Sequence, residues 1–114
     1  MVQEKRRIKI VQDLELIPFQ IISEVGAARS SFMEALMHGR KGEYAEAKEK
    51  VLEAQAYLSA GHKVHAGLVQ KEAAGEEVKV TLLMVHAEDL MITTETMGEM
   101  VKEMIHMYKE FRRS

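Results

Sequence analysis

Apolar residues return at alternating steps of three and four along most of this chain, the rhythm of helices that each turn one side to a core. Tyr44, Ala47, Val51, Ala54, Leu58, His65 and Leu68 keep that rhythm and predict a helix over about 43–71. Its outer positions Glu46, Lys50 and Glu53 are spaced for i,i+4 and i,i+3 ion pairs, and Gly61 is a weak spot inside it. Ile22, Val25, Phe32 and Leu36 predict an earlier helix over about 16–38, with Pro18 tolerated in its first turn. Gly39-Arg40-Lys41-Gly42 reads as a short turn between the two, and residues 72–77 end the second helix. A third helix is predicted over about 78–112, along a seam of Leu83, His86, Leu90, Thr93, Met97, Met100, Met104, Met107 and Phe111. Residues 1–15 are charged and weakly patterned; they read as a loosely ordered arm with Lys5, Arg6, Arg7 and Lys9 solvated, ahead of a single three-helix domain over 16–114.

Short connections make neighbouring helices antiparallel, so the expected fold is all-α: an antiparallel, up-down-up three-helix bundle. The third helix carries more apolar surface than such a bundle uses. Val101, Ile105 and Tyr108 add a second flank to its seam, and a face left over after intramolecular packing marks an association surface. Six of the nine methionines lie on this helix, where they read as adaptable packing rather than as metal or haem ligands.

Composition removes several classes of function. Sixteen basic residues against eighteen acidic ones leave a net charge of -2, which offers no footprint for nucleic acid and no polybasic membrane signal. There is no cysteine, hence no disulfide and no thiolate chemistry; this suits a cytoplasmic location. No apolar run is long enough to span a bilayer, and the first residues lack the apolar centre of a signal peptide. Gly39-Arg40-Lys41-Gly42 lacks the pattern of a nucleotide-binding P-loop.

The chemistry concentrates in the histidines. In Val85-His86-Ala87-Glu88-Asp89 an imidazole stands three residues from a carboxylate, about a turn apart on one helix face that is otherwise apolar. His38 falls at a helix end, where a cation suits the dipole, and His106 falls on a polar flank. His62 and His65 form an i,i+3 pair that could chelate a metal or approach His86 across the bundle. One reading of these residues is therefore an oligomeric, non-catalytic metal-binding bundle with His62, His65, His86 and Asp89 as ligands.

Three stretches give the other reading. Ile21-Ile22-Ser23-Glu24-Val25-Gly26-Ala27-Ala28-Arg29-Ser30, Gly42-Glu43-Tyr44-Ala45-Glu46-Ala47 and Val85-His86-Ala87-Glu88-Asp89 resemble motifs of the IIA components of the lactose/cellobiose/N,N'-diacetylchitobiose class of the bacterial phosphoenolpyruvate-dependent sugar phosphotransferase system. The resemblance implies a cytoplasmic phosphocarrier that forms a homotrimer through its third helix. It implies that His86 accepts a phosphoryl group from the histidine-containing phosphocarrier protein and passes it to a cysteine of the IIB component. It also implies that Asp89 lies near the threefold axis, where three copies share one Mg2+. The chemistry suits the residues: neutral imidazole is a nucleophile near pH 7, and oxygen ligands suit a hard divalent cation. Three positions depart from the family's usual residues. Leu90 stands in place of histidine and takes a polar group from beside His86, while His65 and Glu88 stand in place of glutamine, Glu88 putting a negative charge close to the phosphorylation site. These departures leave a regulatory paralogue of the family as a further alternative.

Overall fold

A computed structural model of the chain describes residues 2–113, with the side chains of residues 2–5 and 16–113. Three helices account for nearly all of it: α1 (Val2–Arg40), α2 (Tyr44–Ala73) and α3 (Leu82–Arg113). They run up, down and up in an elongated bundle of 70 × 22 × 21 Å, the all-α architecture that the spacing of apolar residues requires.

Two helix starts differ from expectation. Helix α1 begins at Val2 rather than near residue 16, so the expected arm over 1–15 lies, from Val2 on, inside a helix, and Pro18 sits within it rather than in its first turn. Residues 2–17 contain no glycine or proline and are rich in Glu, Lys, Arg, Gln and Leu, which favour helix whether or not they line up an apolar face. Pro18 removes one N–H from the ladder without ending the helix. Helix α3 begins at Leu82 rather than near residue 78 because the Thr81 hydroxyl accepts a hydrogen bond from the Met84 N–H at 3.1 Å and caps the first turn.

The other ends follow glycine chemistry. Gly42 and Gly75 both have φ +84°, the left-handed conformation in which a side chain is strained. Past each, the chain folds back to the helix: the Glu43 N–H donates to the His38 carbonyl at 2.9 Å, and the Glu76 N–H to the Lys71 carbonyl at 3.0 Å. Arg112, near the end of α3, donates from Nη2 to the Arg40 carbonyl at 2.9 Å and ties the third helix to the first turn.

Helix α1 is the centre of the bundle. Ile21, Val25, Ala28, Phe32 and Ala35 are buried along it, with α2 on one side and α3 on the other; α2 and α3 touch each other far less than either touches α1. Close approach is bought with small residues. Gly61, expected as a weak spot in α2, is buried, and a Cβ there would stand 3.0 Å from Val25 Cγ2. Gly98 of α3 lies under the ring of Phe32, and Gly39 of α1 lies under Ile105. At the surface, Lys50 of α2 reaches Glu34 of α1 at 2.8 Å and Glu53 of its own helix at 3.1 Å. Its ammonium is held above the ordinary lysine value, by the hydrogen bond to Glu34 first and that to Glu53 next.

The inner face of α3 is not the seam expected from sequence. Its buried residues are Met84, Ala87, Met91, Thr94, Gly98 and Val101. The expected seam stands one flank away: Leu83, Leu90 and Met97 are half-buried, whereas His86, Thr93, Met100, Met104, Met107 and Phe111 are exposed. The large apolar residues of α3 keep a helical period of their own, but a helix packed this closely on its neighbour also turns alanine, threonine and glycine inward.

Candidate functional site

His86 lies in the second turn of α3, one step round the helix from buried Ala87, and its ring is exposed rather than buried in a core. Asp89 follows about a turn later and is also exposed, so the two groups share the outer side of α3 as their three-residue spacing demands. Val85 and Ile92 bracket Asp89 on that side, both about half exposed. Between α2 and α3, where the helices are least in contact, an open groove of about 310 Å³ runs past Leu68, Met84, Val85, Glu88, Asp89 and Ile92.

The five histidines divide sharply by partner. His38 Nδ1 stands 3.1 Å from Glu43, His65 Nδ1 stands 2.7 Å from Glu88, His62 Nε2 stands 3.7 Å from Glu95, and His106 Nε2 stands 3.8 Å from Glu110. His86 is the exception: among the described residues it makes no hydrogen bond and no ion pair. Its ring nitrogens are open to whatever approaches the outer side of α3. A phosphoryl group placed on any of the other four would meet a carboxylate already in contact with that ring; His86 has no such contact, Asp89 standing about a turn away.

This partition also corrects two expectations. Glu88 does not crowd His86. Two residues apart on a helix the side chains diverge by more than a right angle, and Glu88 turns to α2, where His65 takes its carboxylate. Thus two of the departures from the family pattern, His65 and Glu88, meet each other. The four-ligand metal site is not formed within the chain either: His62 and His65 are committed to Glu95 and Glu88, and no group of three or more metal-binding side chains comes together among the described residues. Sequence reading missed this pairing, although its signal was there: two histidines a turn apart on α2, and two glutamates two turns apart on the antiparallel α3.

Asp89 offers a different kind of ligand. Its carboxylate has no partner within the chain among the described residues, and its flank neighbours Val85 and Ile92 are apolar. A lone exposed carboxylate in an apolar stripe can supply one hard oxygen ligand per chain, which fits a divalent cation such as Mg2+ held by several copies and fits no cation site in a single chain.

Comparison with known proteins gives one answer. The family described as "PTS system, Lactose/Cellobiose specific IIA subunit" matches residues 16–109. The lichenan-specific phosphotransferase enzyme IIA component of Bacillus subtilis is 40% identical over 99 residues, covering 87% of this chain and 90% of that protein. The lactose-specific component of Lactococcus lactis is 32% identical over 98 residues, covering 86% and 93% respectively. Among solved structures, the cellobiose-specific enzyme IIA of Bacillus anthracis superposes with a TM-score of 0.87 at 37% identity, covering 89% of this chain and 93% of that one. The chitobiose IIA of Escherichia coli, solved in complex with HPr, gives 0.76 at 28% identity, covering 87% and 96%. The chain therefore belongs to the lactose/cellobiose-specific IIA subunits of the sugar phosphotransferase system.

Proposed function

We propose that His86 is the phosphoryl-accepting residue of this IIA subunit, taking the group from the histidine-containing phosphocarrier protein and handing it to a cysteine of the IIB component. The observation that carries this is the partition of the histidines, in which His86 alone is exposed and free of a carboxylate. A ring-nitrogen lone pair of the neutral imidazole attacks phosphorus in line. The nitrogen–phosphorus bond to the donor's histidine breaks as the bond to His86 forms; in the second transfer the bond to His86 breaks as a cysteine sulfur attacks. Such transfers ask the protein for position more than for covalent help. A ring carried in the second turn of a long, capped helix supplies position. The same chemistry explains why a relative is found with HPr bound.

In the same reading the chain works as a homotrimer assembled through α3. The support is the apolar surface this helix leaves open: Leu82 is 86% exposed, and Val85, Ile92, Met100 and Met107 are each near half exposed. Stacking three copies along this surface brings three Asp89 carboxylates together, and a shared Mg2+ would offset their repulsion. Its contribution would be to assembly, while the transfer itself remains with His86. Among the described residues no helix is long and apolar enough to cross a membrane.

The test is incubation with phosphoenolpyruvate and the two general proteins of the system, followed by intact-mass measurement. The expected result is one added phosphate per chain, labile in acid and stable in base. His86→Ala should abolish it with helix content unchanged, whereas His62→Ala and His65→Ala should still take up phosphate. Uptake by the His86 variant would end the assignment.

A further inference from the structure

Two arginines of α1 are left without a carboxylate by the fold. Arg29 and Arg40 are exposed, and the side chain of neither makes an ion pair or hydrogen bond among the described residues. They are eleven residues apart, close to three full turns, so they lie on one stripe of α1 together with Leu36. Leu36 lines an open apolar groove between α1 and α3 with Met104, Met107 and Tyr108. The stripe therefore borders a groove, of about 320 Å³ at this end, whose α3 lining includes Met104, Met107 and Tyr108 and carries no acidic residue.

The opposite edge of α3's outer surface has the complementary pattern. Val85, Ile92, Thr96, Glu99, Glu103 and Glu110 follow one another there at helical spacing, with Asp89 between this edge and the His86 flank. Glu99 and Glu110 are also eleven residues apart. Height along the bundle can be read from the packing: Phe32 meets Gly98 and Gly39 meets Ile105, so an α1 residue stands level with the α3 residue numbered 66 higher. Arg29 is then level with Glu95, and Arg40 with His106. Glu99 and Glu110 each lie four residues, about 6 Å, beyond those levels, a distance that an arginine side chain spans.

Resting on the trimer reading above, we propose that a second copy of this chain seats the acidic edge of its α3 in the α1–α3 groove of the first, so that Arg29 and Arg40 pair with Glu99 and Glu110 of that copy. One surface packs on a different surface of the next chain, an arrangement that closes into a ring when the rotation permits. The methionines fill the groove floor, and the matched spacing of the two charge pairs fixes the register in which one α3 lies beside another. Register then determines whether the three Asp89 carboxylates fall at one height. Glu99, bonded to Lys102 of its own helix at 2.8 Å and largely exposed, is free to exchange that partner for Arg29.

Charge reversal tests it. Association is measured by sedimentation and light scattering over a dilution series for the parent, Arg29→Glu, Glu99→Arg and the variant carrying both. Each single reversal should raise the dissociation midpoint by about tenfold, and the double swap should bring it back to within about threefold of the parent. Helix content measured by circular dichroism should be the same for all four, since neither side chain holds up the fold of its own chain. A parent that stays monomeric throughout would overturn the trimer reading itself. A trimeric parent with an undiminished Arg29→Glu trimer would overturn only the pairing. So would two weakened single variants that the double swap does not restore. An Arg29→Glu variant with an intact trimer but slower phosphate uptake would also overturn it, placing Arg29 in carrier docking.

Discussion

Gly98→Ala puts the packing of α3 on α1 to a direct test. A Cβ at position 98 would lie 2.5 Å from Phe32 Cζ, 2.7 Å from Cε2 and 3.0 Å from Cε1, so the ring or the helix must move. The ring has nowhere to go. Phe32 is 1% exposed and packs with Ala35, Ala54 and Val101 on the line where the three helices meet. Overpacking of this kind costs about 1–3 kcal/mol, with the three short contacts favouring the upper half, while alanine's better helix propensity returns up to about 1 kcal/mol. The net expectation is a loss of about 1–2 kcal/mol, or about 4–8 °C in melting temperature for a domain of this size. Circular dichroism melts at one fixed chain concentration measure it, since association would shift the midpoint with concentration. Gly67→Ala is the control. It too lies inside a helix, but a Cβ there meets nothing within 4 Å, so propensity acts alone and should raise stability by about 0.5–1 kcal/mol. A Gly98→Ala protein that melts at or above the parent would refute the packing argument. A further check is Phe32→Leu in the Gly98→Ala background, which should recover part of the loss because a smaller side chain vacates the contested space.

Two more outcomes follow from polar groups. Thr94 is fully buried and its hydroxyl has no hydrogen-bond partner among the described residues, so Thr94→Val should be neutral or stabilising by about 1 kcal/mol in the same melts; a loss of that size would mean the hydroxyl has a partner in solution. Asp89→Leu should preserve the trimer, abolish binding of Mg2+ measured by calorimetry, and melt no lower than the metal-free parent, because apolar packing in place of a charge cluster is often neutral or stabilising. Complete loss of phosphate uptake with the trimer intact would instead bring Asp89 into the transfer.

The helices were legible because their signals are local. The glycines at 42 and 75, the run of helix-forming residues and the three-four spacing each act within a few residues, so element order and direction could be read from the chain. Position around the axis of α3 was not legible in the same way. Its inner face is set by how closely α1 approaches, and that depends on Phe32 finding Gly98 and Ile105 finding Gly39, contacts between residues far apart in sequence. A seam drawn through the largest apolar side chains therefore fell on the outer flank. His86 was singled out by its motif and its place on the helix; the folded chain adds that it stands exposed, with no carboxylate partner among the described residues. The motif resemblance supplied the family, and only the folded chain supplies the pairing of His65 with Glu88.

That pairing bears on why the motif tolerates its unusual glutamate. A carboxylate two residues from a phosphorylated histidine would oppose the incoming charge if it shared the histidine's face. On a helix it cannot, since two residues correspond to a rotation of about 200°. The side chain of Glu88 is only about one-quarter exposed and is held by His65, while Glu95 repeats the arrangement more loosely with His62 two turns along. Both acidic groups thus serve the α2–α3 contact, the thinnest in the bundle, where each pair contributes at most about 1 kcal/mol given its exposure. The small energy matters less than the direction it imposes. Helix α3 keeps one face for packing on α1, one for these histidine–glutamate rungs, and one for His86, Asp89 and the apolar stripe. Because Glu88 turns to its own face, His65 and Glu88 can replace amides without adding a second carboxylate to the face that His86 shares with Asp89.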